Sequence, residues 1–288
     1  MKNTSIDLSG KISETAVSIL VEIEKAAIKL DLSFFIVGAT ARDIIFEHQF
    51  DIKPSRATID IDIGVIVSGW DQFELLNDEL LSLREFSPSK QKQRLLYEDN
   101  FPVDIIPFGT IATEDGSITW PPDYENRMSI TGFQECYQHA ISIKLSSNPE
   151  LVVKVVSLAG LALLKLISWD DNPVRRNKDA PDLFFIVRHY LDAGNLNRLY
   201  NEGIDIIEED KYDYDLASAR LLGRDIGIIS TPVTKTKLID ILKRKANSKQ
   251  GHKIAMDILQ SDISRRDSYD RIVECFDALL KGLAKQKG

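Results

Sequence analysis

The sequence has few cysteines and no long apolar run, and these two absences argue against several classes of protein. Its 288 residues include only Cys136 and Cys275, which lie far apart without Cys or His partners at metal-ligand spacing. We therefore expect neither a disulfide framework nor a zinc site. No segment approaches the roughly 20 apolar residues that span a bilayer, and the N-terminal MKNTSIDLSGK lacks the apolar stretch of a signal peptide. These absences predict a cytoplasmic protein with no membrane partner.

Positive charge is also in short supply. The 36 Lys and Arg are outnumbered by 44 Asp and Glu, which gives a formal net charge of −8 and argues against a protein that coats nucleic acid through its overall field. A local basic segment nevertheless runs from Lys235 to Lys253, where seven Lys or Arg face the single Asp240. We interpret it either as a solvated helix face or as a surface that contacts phosphate.

The hydrophobic pattern changes near residue 157. Before that point, helical and strand patterns are mixed: an amphipathic helix over 12–30, a strand SFFIV at 33–37, a hairpin from strands at 93–97 and 101–109, and further strands at 135–145 and 151–157. After it, almost every apolar segment has the helical period. The sequence predicts an α/β (α+β) fold, with a mixed sheet and flanking helices in a catalytic domain at 1–157 and an all-helical domain at 158–288.

Two aspartates interrupt one of the apolar strands. The stretch RATIDIDIGVIV at 56–67 alternates with a period of two, so Ile59 and Ile61 point to one face while Asp60 and Asp62 point to the other. Carboxylates that share a face two residues apart lie roughly 6 to 7 Å from each other along a strand, which is close enough to share a cation. The stretch is either a half-exposed strand with a wet face or part of a metal site.

A third carboxylate and a glycine turn favour the metal site. Asp104 lies in the second hairpin strand, and the strand SFFIV runs into Gly38, after which a helical pattern resumes. A strand, a glycine turn and a helix start present free backbone N–H groups that bind phosphate oxygens. Oxygen ligands suit Mg²⁺, and a pair of such ions stabilises in-line displacement at phosphorus. The ordered set predicts Mg²⁺-dependent phosphoryl chemistry.

The same order of motifs resembles the DNA polymerase β-type nucleotidyltransferase superfamily. The element GATARD at 38–43 is similar to the G-G-x-x-R-D element of CCA-adding enzymes and poly(A) polymerases. The resemblance implies that Asp60, Asp62 and Asp104 are the catalytic ligands of two Mg²⁺ ions. It also implies nucleotide binding by the turn and the helix that follows it, through Gly38, Ala39, Thr40 and Arg42. For Arg42, a structural ion pair is the alternative.

A later stretch, VVSLAGLALLKLISWDDNPVRRNKDAPDL, resembles the narrower group of AbiEii-like toxin nucleotidyltransferases. The resemblance implies that Lys165 acts in catalysis by neutralising the leaving pyrophosphate, and that Asp182 orients Lys165 or the nucleotide. The alternatives are a surface lysine and a helix cap. Lys178 and Asp179 match the same element, and Arg175 and Arg176 are candidate phosphate contacts.

The chain also departs from the superfamily in two ways. The superfamily has Gly-Ser or Gly-Gly where this sequence has Gly38-Ala39, and the longer spacing from Gly38 to Asp60 predicts an inserted loop around HQFDIKPSRA.

The resemblance implies transfer of a nucleoside monophosphate from an NTP to RNA, such as a tRNA 3′ end, or to a protein, in a toxin with an antitoxin partner. A small-molecule acceptor and an inactive nucleotidyltransferase-like binding module are the alternatives.

Overall fold

The computed structural model describes residues 6–54, 56, 59–209, 213–246, 253–261 and 268–285. The chain divides into two compact units, Met1–Ser157 and Leu158–Gly288, at the residue where the sequence pattern changes. The described residues of the first unit form one eight-stranded sheet, one two-stranded sheet and flanking helices, and those of the second unit are helical. The predicted α/β (α+β) fold class is confirmed.

The strands and helices of the first unit follow each other in this order: β1 (Ile6–Asp7), α1 (Glu14–Lys29), β2 (Ser33–Val37), α2 (Gly38–Asp43), a π-helical segment (Ile44–Gln49), β3 (Ile61–Ile66), α3 (Trp70–Leu81), β4 (Phe86–Pro88), β5 (Arg94–Tyr97), β6 (Phe101–Phe108), β7 (Ser117–Thr119), β8 (Arg127–Ser129), α4 (Phe133–Gln138), β9 (Ile141–Ser147) and β10 (Glu150–Val155). The large sheet has the order β1-β9-β10-β2-β3-β6-β5-β4, while β7 and β8 form the small one.

The centre of the large sheet combines antiparallel and parallel pairs. Strand β3 pairs with β2 antiparallel and with β6 parallel, and β5 pairs with β6 antiparallel. The register places Asp62 beside Asp104, and Asp104 beside Arg94 on the next strand. Three charged side chains therefore lie at one level across three adjacent strands.

Helix α1 packs its apolar face in the first unit's core, as its sequence period requires. Its cap is Ser13, whose hydroxyl accepts a hydrogen bond from the Ala16 N–H. Ile19 and Ile23 are almost fully buried, so the helical stripe that the sequence predicted is the buried one. The predicted strand at 33–37 coincides with β2, and the predicted hairpin is the β5–β6 pair.

Two predicted strands were too long. The strand predicted over 56–67 begins only at Ile61, and Ile59, predicted to lie on its apolar face, is 73% exposed, because neither Ile59 nor Asp60 is paired in the sheet. Residues 57 and 58 lie outside the described part of the chain. The strand predicted over 135–145 begins at Ile141, since its first residues belong to α4.

The helices of the second unit are α5 (Leu158–Asp171), α6 (Asp179–His189), α7 (Leu196–Glu202), α8 (Ile204–Glu209), α9 (Tyr214–Ile229), α10 (Pro232–Ala246), α11 (Lys253–Leu259) and α12 (Tyr269–Ala284), with a π-helical segment at Leu191–Asn195. Helices α9 and α12 approach closely through glycines. A Cβ on Gly223 would lie 2.1 Å from the Leu279 carbonyl oxygen, and one on Gly282 would lie 2.0 Å from that of Arg220. No described helix of either unit combines the length and the apolar character that crossing a membrane requires.

Candidate active site

Three half-buried carboxylates converge where β3 and β6 lie side by side. Asp62 is on β3 and Asp104 on β6, and Asp60 lies just before β3. One carboxylate oxygen from each residue lies within 4.8 Å of the other two. Such a set of oxygen donors fits a divalent cation of the Mg²⁺ type. The structure therefore brings together the three acids that the sequence singled out.

The glycine turn between β2 and α2 borders this cluster. Gly38 has φ +65°, and a Cβ built on it would lie 2.0 Å from Asp62 Oδ2. Only a residue without a side chain allows the backbone to approach the carboxylate this closely, and a positive φ further favours glycine. The turn that we expected to bind phosphate thus lies against the middle acid of the cluster.

Thr40 acts on the first acid through the backbone. Its hydroxyl donates a hydrogen bond of 2.7 Å to the Asp60 carbonyl oxygen. The bond joins the start of α2 to the segment before β3. The Thr40 proton therefore holds Asp60 in place, and this hydroxyl can donate to a phosphate oxygen only if its bond to the Asp60 carbonyl breaks.

Arg42 is a structural residue in this conformation. Its side chain is only 2% exposed, its Nε donates to Asp43 Oδ1 at 2.8 Å, and its Nη2 donates to the Arg56 carbonyl at 2.9 Å. The sequence left open a nucleotide contact or an ion pair, and the structure favours the ion pair. In this conformation the Arg42 guanidinium is buried and bound to the protein, and its nucleotide contact stays a prediction.

Sequence reasoning missed Arg94. Its Nε donates to Asp104 Oδ1 at 2.7 Å and its Nη2 to Asp104 Oδ2 at 2.8 Å, and Nη2 also lies 3.6 Å from Asp60 Oδ2. The hydrogen bonds to Asp104 raise the pKa of the guanidinium above its ordinary value, against the lowering effect of burial. The hairpin register could have revealed this contact. Tyr97 pairs with Phe101 across the turn, and three residues away from the turn on each strand Arg94 lies opposite Asp104.

Lys165 belongs to a second cluster, within the helical unit. Its ammonium donates to Asp179 Oδ1 at 2.7 Å and to Asp182 Oδ2 at 2.9 Å. The Lys165 side chain is 12% exposed, so it is not the surface lysine that was the alternative. Burial acts to lower the pKa of Lys165, but the charges and hydrogen bonds of the two carboxylates outweigh it and raise the pKa above its usual value. The ammonium is therefore charged at neutral pH.

The other predicted phosphate contacts lie on the surface of the helical unit. Arg175 and Arg176 are exposed in the turn before α6. In the basic segment, Lys235 donates to the Lys285 carbonyl at 3.4 Å and Arg244 donates to Asp170 at 2.9 Å. Residues 247–252 of that segment lie outside the described part of the chain.

Comparisons with known proteins give one family. A family model described as nucleotidyl transferase AbiEii toxin, type IV toxin–antitoxin system, matches residues 26–274. No curated protein matches the chain.

Solved structures give only weak likenesses. ANT(2″)-Ia in complex with adenylyl-2″-tobramycin is 16% identical with a TM-score of 0.37, over 66% of this chain and 98% of the other. The Thermotoga maritima CCA-adding enzyme complexed with tRNA is 11% identical with a TM-score of 0.32, over 96% and 82%. A CCA-adding enzyme with ATP is 14% identical with a TM-score of 0.33, over 96% and 68%.

Proposed function

The chain belongs to the AbiEii family of nucleotidyl transferase toxins of type IV toxin–antitoxin systems, and on this premise we propose that Mg²⁺ assists its reaction at the three carboxylates. In this proposal the enzyme transfers a nucleoside monophosphate from an NTP to a hydroxyl group of RNA, such as a tRNA 3′ end, or of a protein. The cellular antagonist is the antitoxin that the family's description names.

One observation carries the proposal: carboxylate oxygens of Asp60, Asp62 and Asp104 lie within 4.8 Å of one another. Three like charges at this separation repel each other, and their placement is costly unless a cation balances them. Two Mg²⁺ ions held there would supply charge stabilisation for the entering and the leaving oxygen. Asp60 and Asp62 are the residues that would hold both ions, and Asp104 would hold one.

The protein's own groups then position the reactants. The acceptor oxygen bonds to the α-phosphorus as the bond to the β-phosphate oxygen breaks, pyrophosphate leaves, and the acceptor proton passes to Asp104 or through it to water. Backbone N–H groups at Gly38 and Ala39, at the start of α2, bind phosphate oxygens. Thr40 fixes Asp60 through its hydrogen bond to the Asp60 carbonyl.

Lys165 is the proposed cation for the leaving group. An ammonium has three N–H donors, and two of them are bound to Asp179 and Asp182. The third is the donor that we assign to a phosphate oxygen, and Asp182 orients the ammonium for it. Because the Asp179 and Asp182 carboxylates already balance the charge of Lys165, we expect Lys165 to affect the orientation of the bound phosphate more than the affinity for it.

A transfer assay tests the proposal and its alternatives together. The purified protein is incubated with Mg²⁺, each of the four α-labelled NTPs, and total RNA or cell protein. Label in RNA or in protein identifies the acceptor. Label in neither, with pyrophosphate released only when a small-molecule extract is added, indicates a small-molecule acceptor. Binding of NTP without any pyrophosphate release would identify an inactive binding module.

The decisive variant is Asp62→Asn. We expect a loss of several kcal/mol of transition-state stabilisation, or more than about 100-fold in rate. The fold should stay intact or gain stability, because one of three repelling charges is removed. The matched control is Asp78→Asn, which changes an exposed aspartate on α3. Full activity of the Asp62→Asn protein would refute the catalytic role of the cluster.

A further inference from the structure

Arg94 lies next to the proposed metal site and has no part in the function described so far. It is on β5, directly opposite Asp104 on β6. Directly opposed residues on an antiparallel pair have neighbouring side chains on the same face of the sheet. The guanidinium therefore reaches the carboxylate cluster from the strand beyond Asp104.

The contacts of this guanidinium extend over two of the three acids. Both oxygens of Asp104 accept hydrogen bonds from Arg94, at 2.7 and 2.8 Å, and the Nη2 that binds Asp104 Oδ2 is 3.6 Å from Asp60 Oδ2. One nitrogen thus lies between two carboxylates that must both approach a cation if the cluster binds one. The guanidinium thus supplies positive charge to two of the carboxylates that would hold the cation.

The pair is too well enclosed to be an ordinary surface ion pair. The side chains of Arg94 and Asp104 are 22% and 13% exposed. Bidentate, charge-assisted hydrogen bonds in such surroundings are stronger than exposed ion pairs. The backbone pairing of β5 with β6 already holds the two strands together, so register does not require this contact.

We propose that Arg94 competes with the divalent cation for Asp104, so that the Arg94–Asp104 pair must open before the cation is fully coordinated. The inference rests on the proposed function, because it assumes that the three acids bind the cation. Without metal, Arg94 balances one of three negative charges and keeps the acids together. With metal, the same positive charge opposes binding. Arg94 is a positioning residue that sets the metal affinity of the site.

Direct titration with Mn²⁺, followed by the electron paramagnetic resonance signal of the free ion, tests this without any activity measurement. Arg94→Gln should bind Mn²⁺ with a Kd lower than that of the wild type by on the order of ten-fold, since no charge-assisted hydrogen bonds have to break. Arg94→Lys, which keeps the charge and loses the bidentate geometry, should fall between the two. In EDTA, Arg94→Gln should unfold at a lower temperature than the wild type. In a separate measurement without EDTA, Mn²⁺ should raise the Tm of Arg94→Gln by more than it raises the Tm of the wild type.

The matched control is Arg127→Gln. It removes the same charge from the same unit, but from an exposed pair with Asp115, so its Mn²⁺ affinity should equal that of the wild type. An unchanged or weaker affinity in Arg94→Gln, while Asp62→Asn abolishes binding, would overturn the competition and leave the metal site standing. Absence of any Asp62-dependent Mn²⁺ binding in both the wild type and Arg94→Gln would instead overturn the metal site, and the competition with it.

Discussion

Replacement of Gly38 by alanine should separate the geometry of the site from the stability of the fold. The added Cβ would lie 2.0 Å from Asp62 Oδ2, 2.5 Å from its Cγ and 2.7 Å from its Cβ. A Cβ essentially never comes within 3.0 Å of a non-bonded heavy atom of another residue, so one of the two residues must move by about 1 Å. Asp62 is paired on both sides, with Val37 on β2 and Asp104 on β6. Rotation of its side chain can move Cγ and Oδ2 but not Cβ, so the backbone at Gly38 has to shift as well.

The change has two separable costs. Alanine at the positive φ of Gly38 destabilises the fold by about 1 to 2 kcal/mol, and the close contact with Asp62 adds an overpacking cost of about 1 to 3 kcal/mol. Each kcal/mol lowers the Tm by roughly 2 to 4 °C in a protein of this size. Displacement of Asp62 by about 1 Å should lower the transfer rate by on the order of 100-fold. The loss of activity should therefore far exceed the loss of folded protein at the assay temperature.

Gly10 provides the matched control. It has φ +79° in the same unit, but a Cβ built on it meets no atom within 4 Å. Gly10→Ala should thus show only the cost of the positive φ, lower the Tm by less than Gly38→Ala does, and leave transfer and Mn²⁺ binding unchanged. Both variants are compared by thermal unfolding, incorporation of α-labelled nucleotide and Mn²⁺ titration. If Gly38→Ala retains the activity of Gly10→Ala, the close approach of Gly38 to Asp62 has no catalytic meaning and the argument fails.

Three further predictions concern other contacts. Thr40→Val removes the donor to the Asp60 carbonyl. Its loss of transfer rate, expressed as a free energy, should be at least as large as its loss in free energy of unfolding, whereas Thr40→Ser should keep both the rate and the stability. Equal rates for the two variants would contradict the role given to this bond. Gly223→Ala should destabilise the chain by more than about 2 kcal/mol through overpacking, because its Cβ would lie 2.1 Å from a carbonyl oxygen, whereas Gly227→Ala on the same helix meets its first atom at 3.2 Å and should be nearly neutral in a urea titration. The hydrogen bonds from Arg271 lower the pKa of Asp213, so the stability they contribute is complete above the usual Asp pKa of about 3.9 and is lost as the pH falls through the lower, folded-state value. The Tm difference between wild type and Arg271→Gln should accordingly shrink as the pH is lowered from 6 toward 2.5, and a difference that persists undiminished would argue against the pair.

The hydrophobic pattern of the sequence predicted those parts of the fold in which a short stretch fits only one kind of element. The apolar run at 33–37 is β2 without any shift of bounds, because a short β-branched and aromatic run ahead of a glycine fits a buried strand. Asp62 and Asp104 were correctly placed on strands for the same reason. Their neighbours on the chain are buried, so the acids stand out from an apolar background.

Tertiary context decided the rest. Ile59 belongs by its pattern to the strand, but neither Ile59 nor Asp60 pairs with a neighbouring strand, and the Ile59 side chain is exposed. Lys165 has a helical position that is equally suited to surface or interior, and only the fold of α6 brings two carboxylates to it. Arg94 was read as one polar residue in a hairpin strand, because a pattern along one strand carries no information about its cross-strand partner until the register is counted.

The D-x-D motif does not by itself determine the candidate site, because each acid is placed by a residue from another element. Thr40 holds the backbone of Asp60, and Gly38 leaves room for Asp62. Arg94 holds both oxygens of Asp104. Two of these three residues, Gly38 and Thr40, lie at the start of α2. A nucleotide phosphate bound at that helix start would therefore contact the same backbone that positions Asp60 and Asp62. Phosphate binding and metal binding should therefore be coupled through α2, whereas Arg94 should oppose metal binding through its hydrogen bonds to Asp104.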